Sequence, residues 1–174
     1  GLSDGEGLSL PVFLFIGVYN MDYIAEIYSL SSQFYADYSV ECYPEIVVKK
    51  GRPYSCLLIE YVDDLFICIP FRSNVRHKYA YHFKGSVRSR QGKSGLDYTK
   101  AVLIKNNDYL YTDTPAVVDQ DEYRETMLNL PRIVREVFAY ISDYKKDLNG
   151  IEKLHPKAWE RRYGKSTLPY FDEF

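Results

Sequence analysis

The chain has 174 residues, enough for one domain with a single large core. Hydrophobic residues make up 46% and charged residues 26%, which is ordinary usage for a globular protein, and no stretch approaches the roughly 18 apolar residues of a transmembrane helix. The net charge of −2 argues neither for nor against a nucleic-acid partner. The aromatic content is high, with 18 Tyr and 9 Phe, and such rings suit both sheets and stacking surfaces.

The cysteines and histidines do not follow a metal-binding pattern. Cys42, Cys56 and Cys68 are odd in number and show no C-x₂-C spacing, and the three histidines are not spaced as ligands. Cys56 and Cys68 lie in apolar runs typical of strands, which favours buried free thiols in a reducing compartment. We therefore expect a cytoplasmic protein with no metal and no cofactor.

The first twenty residues differ from the rest. A first segment rich in Gly, Ser and acidic residues is followed by an apolar run at positions 10–18. From Met21 onward the sequence has the patterns of strands and helices. Residues 1–20 are therefore predicted to be an extension or a cloning remnant, and residues 21–174 a single domain. The alternative is that the apolar run adds an edge strand to the sheet.

The first predicted elements are a strand, a short helix and a loop. Ile24–Leu30 alternates weakly and predicts a strand. Ser31 can cap a short helix that runs to about Tyr38. A stretch rich in turn-formers and charge, Pro44–Pro53, then predicts a loop.

A hairpin is the strongest prediction. Two strand signals, Tyr54–Tyr61 and Leu65–Ile69, flank a compact connection at residues 62–64. Positions equally far from the centre of that turn face each other, which places Arg52 opposite about Asn74.

The middle of the chain is predicted to be irregular. Arg72–Gly95 has no sustained period and contains three glycines, so it indicates a long loop or an irregular ribbon. Ala101–Ile104 and Tyr109–Tyr111 are predicted strands on either side of an Asn-Asn-Asp turn.

The last third is predicted to be helical. Asp119–Gly150 carries a clean helical face, and Pro131 either kinks one helix or starts a second. A final helix is expected around Pro156–Tyr163. Strands first and helices last give an α+β fold, with a small curved antiparallel sheet or barrel covered by helices.

Positive charge is concentrated in one stretch, from Arg72 to Lys105. It contains nine Lys or Arg residues and a single acid, Asp97, whereas the rest of the chain is acidic overall. This asymmetry favours a surface that binds an anion such as RNA, although a solvated loop would look the same. Four of the cations are spaced by Gly and Ser and suit backbone phosphates: Lys84, Arg88, Arg90 and Lys93.

Aromatic residues alternate through the same stretch. Tyr79, Tyr81 and Phe83 can stack on unpaired bases, and alternation at every second residue equally fits a strand with one packed face.

Polar side chains follow the second hairpin strand where it ends. Arg72, Ser73 and Asn74 can contact one phosphate, unless Ser73 and Asn74 simply form a turn. His77 is the better candidate for an acid or base, whereas His82 is expected to be a packed or surface residue.

The sequence lacks the motifs of several enzyme classes. There is no G-x-x-x-x-G-K-[ST], no G-x-G-x-x-G after a strand and no G-x-S-x-G. The acid pairs Asp63-Asp64 and Asp121-Glu122 are explained locally, by a hairpin turn and by the start of a helix.

Over roughly Ile24–Gly150 the chain resembles the TenpN group of toxins from type III toxin–antitoxin systems, with the ToxN, AbiQ and CptN toxins as more distant relatives. Three strings carry the resemblance: Pro44-Glu-Ile with Lys50-Gly-Arg52-Pro53-Tyr54, Ile69-Pro-Phe-Arg72-Ser73-Asn74-Val-Arg-His77-Lys78-Tyr79, and Gly95-Leu-Asp97-Tyr98-Thr99-Lys100-Ala101.

The resemblance implies a function for residues 21–174. It implies a strongly bent antiparallel barrel like that of the MazF and Kid toxins, decorated with helices. It also implies a metal-independent endoribonuclease that leaves 2′,3′-cyclic phosphate ends. Such toxins are inhibited by a repeated pseudoknot RNA antitoxin within a protein–RNA assembly, and they can act in abortive defence against phage.

The same resemblance assigns residues. Arg52 falls where these toxins place a catalytic or phosphate-contacting cation, and Ser73 where they place a Thr/Ser pair. Arg72 stands in place of the first member of that pair, which leaves open the group that activates the 2′-hydroxyl. The predicted catalytic set is Arg52, Arg72, Ser73, His77 and Lys78. The predicted RNA-binding set is Lys50, Tyr54, Asn74, Arg76, Tyr79, Tyr81, Lys84, Arg88, Arg90, Lys93 and Lys100.

Two other functions remain open at this point. A non-catalytic RNA-binding module would need the same basic stretch and aromatic residues. A protein-interaction domain would use the basic stretch to bind an acidic partner, with a strong dependence on salt.

Overall fold

Strands precede helices along the chain, in a computed structural model that describes residues 12–16, 21–50 and 54–174. The strands are β1 (Val12–Ile16), β2 (Met21–Leu30), β3 (Ser55–Glu60), β4 (Phe66–Arg72), β5 (Ala80–His82), β6 (Gly95–Asp97), β7 (Val102–Ile104) and β8 (Leu110–Tyr111). The helices are α1 (Ser32–Asp37), α2 (Val87–Gly92), α3 (Gln120–Leu128), α4 (Leu130–Leu148) and α5 (Pro156–Tyr163), and 3₁₀ turns occupy Tyr98–Lys100, Asn107–Tyr109 and Leu168–Tyr170.

The central hairpin has the predicted register. Cys56 pairs with Pro70 and Glu60 with Phe66, so β3 and β4 are symmetric about the turn as expected. Asp63 and Asp64 form that turn with φ values of 48° and 63°, a left-handed conformation that Asp tolerates better than most residues. Arg52, the residue placed opposite Asn74, lies outside the described residues.

The sheet is antiparallel throughout and open. β2 pairs with β1, β3 and β8, and β4 pairs with β3, β6 and β7, while β6 also pairs with β5. The α+β class is confirmed. Of the two alternatives, a curved sheet or a barrel, the barrel is not confirmed, because pairing runs from β1 to β5 without joining these two outer strands in the described part of the chain.

Part of the N-terminal apolar run forms the edge strand that was the alternative to an extension. Val12 pairs with Ala25 and Ile16 with Met21, so β1 lies along β2. Residues 1–11 and 17–20, which complete that segment, lie outside the described residues.

The segment from residue 72 to residue 95 is more ordered than predicted. It contains β5 and α2, and Ser86 caps α2 by accepting a hydrogen bond from the Ser89 amide at 2.9 Å. Elements of three and six residues are too short to show a sequence period, which is why they were missed. A Cβ atom on Gly95 would lie 2.5 Å from the Tyr81 carbonyl oxygen, so glycine allows β5 and β6 to approach closely.

Helices α3, α4 and α5 contribute buried residues to the same core as the strands. Pro131 lies in the first turn of α4, so it starts a second helix after α3 instead of kinking one. The buried face of α4 joins the strands in a single core, and α5 is fixed to α4 by a hydrogen bond of 3.0 Å from the Tyr163 hydroxyl to the Tyr140 carbonyl.

Among the described residues, no helix is long and apolar enough to cross a membrane.

Candidate nucleic-acid interface

The single acid of the basic stretch, Asp97, is the buried centre of the predicted site. It ends β6, and its side chain has no exposed surface. Its Oδ2 accepts a hydrogen bond from Nη1 of Arg72 at 2.5 Å, and its Oδ1 accepts one from Nε2 of His77 at 3.1 Å. The Thr99 hydroxyl donates to the same Oδ1 at 2.6 Å. Asp97 therefore joins the end of β4 to the loop that carries His77.

The surroundings of Asp97 keep it ionised. Burial by itself would raise the pKa of Asp97, but the hydrogen bonds from His77 and Thr99 and the charge of Arg72 outweigh burial and lower that pKa below its ordinary value. Arg72 consequently has a permanent counter-ion, and only 30% of its side chain is exposed.

Both ring nitrogens of His77 are hydrogen-bonded. Nε2 donates to Asp97, and Nδ1 accepts from the Tyr79 amide at 3.1 Å. Because a backbone N–H can only donate, Nδ1 accepts this bond through its lone pair, and the proton of the neutral ring lies on Nε2.

A cleft of about 650 Å³ opens beside the two histidines, and we call it the histidine cleft. One wall comes from the segment of residues 76–84 and the other from α4 and α5. Its lining includes Arg76, His77, Lys78, Tyr79, His82, Lys84, Tyr98, Arg132, Glu136, Tyr140, Asp143 and Arg162.

A second cleft, of about 760 Å³, lies at the end of β4, and we call it the strand-end cleft. Its lining includes Arg72, Ser73 and Asn74 together with Tyr54 and Arg88. Of the predicted catalytic residues that the structure describes, Arg72 and Ser73 line this cleft and His77 and Lys78 line the histidine cleft, and Asp97 connects Arg72 to His77. Lys49, in this cleft, lies 5.8 Å from the centre of the Tyr54 ring, and Lys50 is exposed nearby in sequence.

Asn74 has a structural reason to be an asparagine. Its φ is 58°, in the left-handed region that Asn adopts more readily than most residues, and its amide donates to the Gly92 carbonyl at 2.6 Å. Asn74 thus forms the turn weighed as the alternative, while its side chain still lines the strand-end cleft.

Four of the nine cations in the basic stretch have acidic partners. Arg72 pairs with Asp97, Arg88 with Glu122, Lys100 with Glu45, and Lys105 with Glu173. In the described part of the chain the other five form no ion pair, and all are exposed: Arg76, Lys78, Lys84, Arg90 and Lys93. The surface available to an anion is therefore smaller than the sequence indicates, and three of its five cations line the histidine cleft.

Glu122 does lie in the first turn of α3, as predicted, but this local explanation is incomplete. Its fully buried carboxylate accepts hydrogen bonds from Ser86, Ser94 and both Nε and Nη2 of Arg88, the last at 2.8 Å. Its neighbour Asp121 does fit the local explanation, since it is exposed at the start of α3.

The two tyrosines predicted to stack on bases have different environments. Tyr79 is half-buried in the wall of the histidine cleft, with the Arg162 guanidinium 5.3 Å from its ring centre. Tyr81 is 4% exposed, and its hydroxyl donates to Glu125 at 3.1 Å. Burial and the Glu125 hydrogen bond raise the pKa of Tyr81 to about 12, and its ring is not available to a base in this conformation.

Three cleft residues were missed as functional candidates. The sequence predicts His82 to be a packed or surface residue and singles out neither Arg132 nor Arg162, although all three line the histidine cleft. The available signal was the polar face of α4, where Arg132, Glu136 and Asp143 recur at helical spacing opposite the apolar face. What the sequence does not show is that this face lies across from residues 76–84.

The chain matches no protein-family model, no curated protein and no solved structure. Within the described ranges, no group of three or more His, Cys, Asp or Glu side chains is arranged to hold a metal ion.

Proposed function

We propose that this protein is a metal-independent endoribonuclease of the toxin type, which cleaves RNA to leave 2′,3′-cyclic phosphate ends. Its partners in this proposal are cellular RNA as substrate and a repeated pseudoknot RNA antitoxin as inhibitor, in a cytoplasmic protein–RNA assembly. Arrest of bacterial growth, including abortive defence against phage, would be the biological result.

The observation that carries the proposal is the shared bonding of Arg72 and His77 to Asp97. The sequence alone nominated this cation and this histidine for one site. A buried carboxylate that orients both a guanidinium and an imidazole is typical of sites whose side chains must be held in fixed geometry.

The chemistry of RNA cleavage fits the charge of this region. Attack by the 2′-hydroxyl places extra negative charge on the phosphate oxygens, and cations stabilise that charge best where water is partly excluded. Lys78, which is exposed in the histidine cleft, can serve in this way. Arg72 would first have to leave Asp97, and Ser73 and Arg52 are assigned by the resemblance. The proposal includes a distant relation to the MazF and Kid toxins. Their antiparallel sheet is a strongly bent barrel, whereas the sheet of this protein is open.

Non-catalytic RNA binding is the second candidate, and one observation favours it. Both nitrogens of His77 are occupied, and Arg72 is already paired, so neither is free to react without a rearrangement. The exposed cations Arg76, Lys78 and Lys84 would still bind RNA in that case.

The test is incubation of the folded protein with bulk RNA in EDTA, followed by analysis of the ends. We expect 2′,3′-cyclic phosphate ends from the wild type. Lys78→Gln and Ser73→Ala, which change exposed side chains, should each slow cleavage by about 10-fold or more.

Matched controls are available on the helices. Lys157→Gln and Ser142→Ala make the same changes at exposed positions outside both clefts and should cleave like the wild type. RNA that stays intact but bound would overturn the nuclease proposal and leave the RNA-binding module.

A further inference from the structure

We propose that His82 is the base that accepts the proton of the attacking 2′-hydroxyl group. This inference rests on the proposed ribonuclease function and deepens it by naming the proton acceptor. His82 ends β5, is half-buried, and lines the histidine cleft.

One hydrogen bond fixes the tautomer of His82. Its Nε2 lies 2.7 Å from the carbonyl oxygen of His77. A carbonyl can only accept, so Nε2 must be the protonated nitrogen, and the lone pair of the neutral ring lies on Nδ1.

That lone pair has no partner among the described residues and is not fully buried. No described residue forms a hydrogen bond with Nδ1 of His82, and Nδ1 is not among the buried polar atoms without a partner. His77 differs, because its own Nδ1 is occupied by the Tyr79 amide. His82 can therefore take a proton without breaking a contact, and His77 cannot.

The His77 ring is better described as a positioning group. Its bonds to Asp97 and to the Tyr79 amide hold the segment whose carbonyl fixes His82. Asp97 thus influences the position of the reacting nitrogen indirectly, because it holds His77 and His77 in turn holds His82.

Cations dominate the surroundings of His82. Arg76, Lys78 and Lys84 come from its own segment, and Arg132 and Arg162 face it from α4 and α5. Two acids of α4, Glu136 and Asp143, line the same cleft, and Glu136 is bound to Arg132 at 2.6 Å. A phosphodiester drawn to the exposed cations would lie beside a ring nitrogen that has no protein partner.

Water carries a proton in this step and is not consumed. The 2′-oxygen attacks phosphorus while its proton passes to Nδ1 of His82, and the new O2′–P bond forms as the P–O5′ bond breaks. The electron pair of the broken bond leaves on O5′, which takes a proton from a water molecule in the cleft. His82 then gives its proton to the hydroxide so formed, which restores both the water and the neutral ring.

The first experiment compares His82→Asn with His155→Asn in cleavage of RNA in EDTA. His155 is a matched control because it is exposed, lies outside the cleft and caps α5, a role that Asn also fills. We expect His82→Asn to lose about 100-fold or more in rate. Both variants should bind 2′-O-methyl RNA, which has no proton to give up, within about twofold of the wild type.

Two further measurements separate catalysis from a structural role. Added imidazole should restore part of the activity of His82→Ala, because it supplies the missing base. Long-range ¹H–¹⁵N spectra should show neutral His82 as the Nε2–H tautomer, and His77→Asn should give a mixture of tautomers.

The outcomes for this inference and for the ribonuclease function are distinguishable. A wild type that leaves RNA intact would overturn the function and this inference together. A wild type that cleaves, with His82→Asn cleaving equally well or His82 found as the Nδ1–H tautomer, would overturn only the assignment of His82.

Discussion

Asp97 has different roles in the sequence and in the folded protein. Along the chain it is one acid among nine cations, and in the structure it is the counter-ion of Arg72 and the acceptor for His77. A carboxylate with no exposed surface is stable only if its oxygens are well bonded, and here Thr99 adds two donors. Removing the charge of Asp97 would leave these hydrogen-bond donors without the ionised acceptor around which they are arranged.

Asp97→Asn should therefore lower the free energy of unfolding by about 1–3 kcal/mol. The effect should depend on pH. The pKa of Asp97 is lower in the folded protein than in the unfolded chain, so its contribution is complete above the ordinary Asp pKa of about 3.9. That contribution is lost as the pH falls through the native value.

Urea unfolding of both proteins between neutral pH and about pH 2 checks this expectation, because the difference should narrow below about pH 4. Asp113→Asn is the matched control, since Asp113 is exposed and forms no hydrogen bond or ion pair in the described part of the chain. A difference that stays constant down to low pH would mean that the charge of Asp97 is not what stabilises the fold.

Among the elements, α2 and the loops on either side of it depend on α3. Glu122 binds Ser86, Arg88 and Ser94, and Glu125 accepts hydrogen bonds from the Lys84 and Gly85 amides. A six-residue helix has little stability of its own, so these contacts decide whether it forms. They also determine where the exposed cations of this segment can lie.

Glu122→Gln should loosen α2 because it removes a buried charge from three partners at once. We expect a loss of about 1–3 kcal/mol in the free energy of unfolding and faster hydrogen exchange at the Arg90 and Lys93 amides. Hydrogen-exchange mass spectrometry of residues 84–94 measures this directly. Glu41→Gln changes an exposed acid and should leave exchange there unchanged, and equal exchange in both variants would contradict a role for Glu122.

Over the whole molecule, ion pairs divide the basic stretch into structural and available cations. Lys100 is bound to Glu45 at 2.5 Å, and its side chain is 12% exposed, whereas Lys84 is exposed and has no acidic partner among the described residues. Binding to RNA releases counterions only where a cation reaches a phosphate. The salt dependence of binding therefore reports which lysines take part.

We expect Lys84→Gln to reduce the slope of log affinity against log salt by about 0.7 for single-stranded RNA. Lys100→Gln should leave that slope unchanged, even if it lowers stability, because its charge is already paired. Fluorescence anisotropy with 2′-O-methyl RNA over a range of salt concentrations gives both slopes. Equal reductions in the two variants would show that Lys100 also contacts RNA.

The strands and helices that show a clear periodic signal could be predicted from the sequence. Alternation and turn residues predicted β3, β4 and their register, and helical periodicity predicted the apolar face of α4, while the sequence left open whether Pro131 kinks one helix or starts a second. These signals are local, since each depends on residues within one or two elements. The resemblance placed Arg72 and His77 in one predicted catalytic set.

Tertiary structure alone decided which polar groups meet. Asp97 and Arg72 are 25 positions apart, and Arg88 and Glu122 are 34 apart, so no local pattern could reveal that these charges are paired. The position of His82 across from α4 likewise depends on packing between distant elements. The hydrogen bonds that leave a nitrogen of His82 free are local, to residues within five positions, but the irregular segment that makes them shows no sequence period. The sequence by itself determined the elements and the concentration of positive charge. Only the fold decided which cations remain exposed, because burial and ion pairing depend on neighbours that are remote in sequence.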